Sequence, residues 1–167
     1  MTLDLVLRAF AIGIGATLLT DLWNLFIKRV FGIPSLNFCL LGRWILYMPD
    51  GTFRHSRITA TTAKAFECAA GWIAHYTIGV VLAVAFAVIV SGEWFAQPSM
   101  LSALLYGIGT ALFPLFILQP SLGLGPASSR TASPIQARLK SLGTHTVFGL
   151  GLYVCALGVR CALLVRG

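Results

Sequence analysis

A chain of 167 residues that is 57% hydrophobic and 10% charged, with a mean hydropathy of +0.87, carries too few charges to solvate a soluble surface. Soluble globular classes are therefore excluded. The net charge of +7 would raise nucleic acid as a partner, but the basic residues fall between apolar runs and not along one face, so no nucleic-acid partner is expected.

The first charge-poor run predicts a span over about Val6 to Ile27, carrying Asp21. Its start, Ala9 to Thr20, has the length of a signal-peptide core, but Asp21, Trp23 and Asn24 follow it where a small-x-small cleavage site would stand. The run is read as a retained span.

After it come Leu36, Phe38, Leu40, Leu41, Trp44, Ile45, Leu46 and Tyr47, between Pro34 and Pro49 and interrupted by Arg43. This stretch is too short to cross a bilayer and is expected to lie at the interface or re-enter. Further spans are predicted over about Cys68 to Ser91, Met100 to Gln119 and Ser141 to Val165. Each offers the roughly 20 residues that cross about 30 Å of hydrocarbon, and in lipid each must be helical to satisfy its own backbone. The fold class is thus an all-α polytopic membrane protein, one membrane domain over 1–167 with lipid bilayer as its surroundings.

Lys28, Arg29, Arg43, Arg54, Arg57 and Lys64 precede the second span, and Arg130, Arg138 and Lys140 precede the fourth. The link from Gly92 to Ser99 has no basic residue. Both basic segments are expected on the cytoplasmic side, with both termini opposite, although Arg8, Arg160 and Arg166 weigh the other way. The segment from Pro120 to Lys140 is rich in Gly, Ser and Pro and reads as irregular chain. Arg43, Arg54, His55 and Arg130 are candidates for contact with headgroups or other anions. Cys39, Cys68, Cys155 and Cys161 show no C-x-x-C spacing and no cluster with histidine, so no zinc site or redox pair is expected. Most of them are read as small apolar packing residues.

Within the spans, His75 and His145 both stand in the pattern His-x-x-x-Gly-x-x-Leu. The first and third spans share Gly13-Ile-Gly15-Ala-Thr-Leu18 and Gly107-Ile-Gly109-Thr-Ala-Leu112, so two parallel helix-pair repeats are expected. Gly71, His75 and Gly79 recur every four residues, as do Ser141, His145 and Gly149, forming small-residue contact stripes. Thr17, Asp21 and Asn24 make a polar stripe on the first span, Gln119 closes the third, and Pro114 is expected to kink it and free a carbonyl.

Ionisable groups inside a bilayer are costly and mark function by default. Asp21, His75 and His145, with Asn24, Thr17 and Gln119, form the expected polar centre. A carboxylate beside imidazoles suits a proton-responsive relay for a small solute or proton. The same pair of imidazoles would serve a membrane enzyme, a haem or a divalent metal held by His75, His145 and Asp21, though no metal or cofactor is predicted. A purely structural role, with histidine bonded to threonine or backbone, competes with these. Four helices leave little room for a solute path within one protomer, so a homo-oligomer is expected.

At Gly15-Ala-Thr-Leu-Leu-Thr-Asp21-Leu-Trp-Asn24, Phe31-Gly-Ile-Pro-Ser-Leu-Asn37, Gly42-Arg-Trp44, Phe53-Arg-His55, Gly71-Trp-Ile-Ala-His-Tyr76, Gln119-Pro120 and Thr144-His-Thr-Val-Phe-Gly-Leu-Gly-Leu-Tyr153 the chain resembles a bacterial integral-membrane family, domain-of-unknown-function family 2938. The resemblance covers nearly the whole chain and implies a small inner-membrane protein. It carries over no substrate, cofactor or catalytic residue.

Overall fold

The computed structural model describes residues 2–164, and among them every regular element is helical. Helices α1 (Leu3–Phe31), α3 (Glu67–Val90) and α7 (Pro134–Leu164) are long. Shorter ones are α2 (Phe38–Tyr47), α4 (Glu93–Ala96), α5 (Met100–Thr110) and α6 (Gln119–Ser121). Four stretches are long and apolar enough to cross a membrane: Leu3–Phe31, Glu67–Val90, Met100–Ser121 and Pro134–Leu163. At most 33% of any of their apolar windows is buried inside the protein. Apolar surface presented so widely is the pattern of helices meant for lipid. The expected all-helical fold with four spans holds. Val165, assigned above to the fourth span, and Arg166 lie outside the described residues.

Local signals explain the ends. Thr2 caps α1 through its hydroxyl, which accepts from the Leu5 amide, and Gly32 ends it in the left-handed region at φ 68°, where a side chain would be strained. The apolar stretch between Pro34 and Pro49 is the ten-residue α2, capped by the Asn37 side chain on the Cys39 amide. The third span breaks at Pro114: residues Pro114–Leu118 wind as π-helix, with the Gln119 amide reaching the Pro114 carbonyl. Proline and π-turns are the usual causes of such a break. The fourth span corrects an expectation. Pro134–Lys140 is helix, not irregular chain, because Pro134 occupies a first helical position, where its missing N–H costs nothing.

The chain divides into two compact units, Met1–Pro34 with Tyr76–Thr110 and Thr144–Gly167, and Ser35–His75 with Ala111–Gly143. The core of the first is built from Ala9, Ile12 and Ala16 of α1, Phe86 of α3, Trp94 of α4 and Phe148 and Leu152 of α7. Glycines let its backbones touch. A methyl group on Gly13 would stand 2.8 Å from the Val80 Cα, and one on Gly79 would overlap the Thr17 hydroxyl. On the other pair, a methyl on Gly107 would stand 2.5 Å from the Gly149 Cα, and one on Gly149 would meet the Ala103 carbonyl.

In the second unit Leu41, Trp44, Ile58, Leu118 and Leu122 form the core. Here α2 lies backbone to backbone on the start of α3, since a side chain at Gly42 would overlap the Glu67 carbonyl and one at Gly71 the Phe38 carbonyl. Two cross-links fasten the contact. Cys39 and Cys68 form a disulfide, so these two cysteines are a bonded pair and not the separate packing residues that their spacing suggested. Arg43 and Glu67 form a two-pronged ion pair with both nitrogen–oxygen distances at 2.7 Å.

Candidate functional site

The polar side chains of the first unit meet in pairs across its helices. Tyr76 of α3 donates its hydroxyl proton to Asp21 Oδ2 of α1 at 3.0 Å. One turn further along α1, Asn24 Oδ1 accepts from the Thr144 hydroxyl of α7 at 3.2 Å. The next residue of α7, His145, meets the Thr110 hydroxyl of α5 through Nδ1 at 2.8 Å. All six side chains are partly accessible and none is fully buried. Asp21 lies ten residues before the end of α1 at Phe31, Tyr76 nine after the start of α3 at Glu67, and His145 eleven after the start of α7 at Pro134. These matched positions let three long helices offer polar groups to one another.

The hydrogen bonds assign the His145 tautomer. Thr110 has one hydroxyl proton and places it on the Gly107 carbonyl at 2.6 Å, so its oxygen accepts from His145 Nδ1–H. Nε2 is left with the lone pair, the atom able to take up a proton or bind a donor. Thr17, 2% exposed, turns its hydroxyl back to the Gly13 carbonyl at 2.7 Å and packs it on Gly79. It serves the α1–α3 contact and shares the unit with Asp21 and Asn24.

His75 and Gln119 belong to the second unit. His75 stacks on Phe38 with ring centroids 4.1 Å apart and presents an edge to Trp72 at 5.9 Å. The Gln119 side-chain oxygen accepts from Ser128 at 2.7 Å and its backbone carbonyl accepts from Leu124 at 2.9 Å. Among the described residues no three His, Cys, Asp or Glu side chains gather as a metal site requires, and Asp21, His75 and His145 are not such a group.

Of the residues expected to meet anions, Arg43 is committed inside the second unit. Its side chain is 12% exposed; Nε and one terminal nitrogen bind Glu67, and the other bonds the Ile58 and Thr61 carbonyls at 3.2 and 2.8 Å. The hydrogen bond to Glu67 raises its pKa above the ordinary arginine value. Arg54 and Arg130 are exposed. His55 meets the Thr61 hydroxyl through Nδ1 at 3.3 Å, stands edge-on to Tyr47, and has its Nε2 buried without a hydrogen-bond partner.

Sequence reasoning missed Tyr76, Thr110 and Thr144. The available sign was adjacency: Tyr76 follows one intramembrane histidine and Thr144 precedes the other. Thr110 had no comparable mark beyond its place before Pro114. It missed the disulfide too, although Cys39-x-x-Gly42 and Cys68-x-x-Gly71 repeat one spacing on the two helices that meet.

Comparison with curated proteins and with solved structures finds no match to this chain. A family model does match, over residues 10–159, and its description is "Protein of unknown function (DUF2938)". With Asp21, Tyr76, Asn24, Thr144, His145 and Thr110 all inside the matched segment, the chain belongs to the DUF2938 family.

Proposed function

We propose that the protein is a proton-sensitive transport or permeation protein of the bacterial inner membrane, with Asp21 and His145 as its titrating groups. The observation that carries this reading is the Tyr76–Asp21 hydrogen bond inside two spanning segments. A carboxylate at such a position is costly, and its hydrogen bond from the neutral Tyr76 hydroxyl changes when the carboxylate takes up a proton. Asn24–Thr144 and His145–Thr110 extend the polar groups to the two other spans of the same unit. Proton flux into reconstituted vesicles, compared between wild type and Asp21→Asn, tests it.

A structural subunit is the second reading. It is favoured by His145 already having a threonine partner, and it predicts that Asp21→Asn changes stability without changing flux.

Gly13 against Val80 and Gly107 against Gly149 support two parallel helix-pair repeats, since equivalent glycines make equivalent close approaches. Four helices leave little space between them, so we assign the solute path to a homo-oligomer. The excess of Lys and Arg supports a cytoplasmic position for both basic segments. The Cys39–Cys68 disulfide lies beside the first of them, and cytoplasmic disulfides of ordinary cells are transient. This orientation therefore requires the two thiols to be reduced in resting cells. Labelling both in intact cells and in lysates decides it, and a bond that persists in resting cells contradicts the orientation.

A further inference from the structure

The two basic segments are stitched together in the second unit. The His55 amide donates to the Ser121 carbonyl at 2.8 Å and the Ile58 amide to the Leu122 carbonyl at 3.1 Å. Gly123, at φ 87°, lies so close to the Ser56 carbonyl that a side chain there would collide with it. Arg54 precedes the first of these bonded strips, Arg57 lies within it between His55 and Ile58, and Arg130 follows the second. The Arg130 amide returns to the Leu124 carbonyl at 2.9 Å, and its stem packs against Gly125.

Charge balance shows what this arrangement lacks. The unit has two carboxylates, and both are taken: Glu67 by Arg43 and Asp50 by Lys64 at 2.6 Å. Arg54, Arg57 and Arg130 are exposed and make no ion pair among the described residues. Arg138 spends its Nε on the neutral Ala127 carbonyl and keeps its charge. Among the described residues no carboxylate neutralises this group, so an external anion is its natural complement.

Exposed apolar side chains in the same unit indicate which anion. Phe53, beside Arg54, is 58% exposed; Ile135 and Leu139, on the helix turn that carries Arg138, are 71% and 64% exposed. Cations next to outward apolar groups fit the border of a bilayer, where the stems meet acyl chains and the heads meet phosphates. A free phosphate would find no use for those apolar neighbours.

We propose that Arg54, Arg57 and Arg130 form a docking surface for the phosphodiester headgroups of anionic lipids. The test uses the full chain in phosphatidylcholine nanodiscs containing graded phosphatidylglycerol, with retained phosphatidylglycerol counted by native mass spectrometry. Each arginine near a charged surface is worth about fivefold in binding, so R54Q/R57Q/R130Q should weaken retention about a hundredfold. The charge-keeping R54K/R57K/R130K should hold it within a few-fold. Retention by the glutamine variant equal to wild type overturns the proposal, as does equal loss in both variants, which would mark a folding role. Displacement of phosphatidylglycerol by millimolar inorganic phosphate overturns the choice of lipid as the ligand.

Discussion

Tyr76 gives its hydroxyl proton to Asp21 across two spanning helices at 3.0 Å, so α3 reaches that carboxylate with the residue that follows His75. Consecutive residues of a helix lie about 100° apart around its axis. The ring of His75 is stacked on Phe38 in the second unit.

Removing the donor exposes what this bond does. Hydrogen bonds to charged groups are worth about 1.5–3 kcal/mol, so Tyr76→Phe should lower the thermal midpoint in detergent while Tyr76 variants that keep a donor do not. A Phe variant as stable as wild type would mean that the bond contributes nothing to holding α1 on α3.

His145 should be protonated on Nδ1 and unprotonated on Nε2 at neutral pH, as its bond to Thr110 requires. Nitrogen chemical shifts of the labelled ring read this directly. Thr110→Val removes the acceptor and should release the preference, whereas an Nε2–H tautomer in the wild type would rule out the arrangement.

The glycine contacts separate sites by their surroundings. Gly107→Val and Gly79→Val add atoms where Gly149 and Thr17 already stand, and overpacking of this kind costs about 1–3 kcal/mol or more. Gly109 and Gly143 have nothing within 4 Å of an added Cβ, and Gly109→Ala or Gly143→Ala should be tolerated. Equal thermal shifts at all four positions would contradict the packing described.

In the second unit, closing a chain over 29 residues makes the Cys39–Cys68 bond worth about 3–4 kcal/mol by loop entropy. Reductant should lower the midpoint of the wild type and leave Cys39→Ser unaffected. Glu67→Gln removes the charge that balances Arg43, leaving it only neutral acceptors, and should cost about 2 kcal/mol, less than a fully buried pair because water reaches both partners. An unchanged midpoint for Glu67→Gln would show the ion pair to be idle.

Lys64 adds a pH dependence of known sign. The hydrogen bond to Asp50 raises its pKa above 10.5, so its contribution is complete below the ordinary lysine value and fades as pH rises through the folded one. The stability gap between wild type and Lys64→Gln should stay constant from neutral pH to about 9 and close only in strong alkali. A gap closing near neutrality would exclude this pair as its source.

How much of this was legible differs by scale. Apolar runs located four spans, because length and hydropathy are properties of contiguous residues, and Pro34 and Pro49 bracketed α2 for the same reason. The start of α7 was hidden by the Gly, Ser and Pro that fill the segment before it, which made Pro134 read as part of the loop although proline suits a first helical position. Pairings such as Arg43 with Glu67, 24 residues apart, or Thr110 with His145, 35 apart, depend on which helix faces meet, and one sequence does not carry that. The polar stripe of α1 was visible in Thr17, Asp21 and Asn24; its partners Tyr76 and Thr144 were not.

Proton entry into vesicles loaded with a pH-sensitive dye tests the central claim most directly, with potassium and valinomycin present to clamp the potential. Wild-type vesicles should acidify faster than protein-free ones, and Asp21→Asn should return the rate to the protein-free level while keeping its helical circular dichroism. A rate in Asp21→Asn equal to wild type, or no wild-type flux above empty vesicles, would contradict the account.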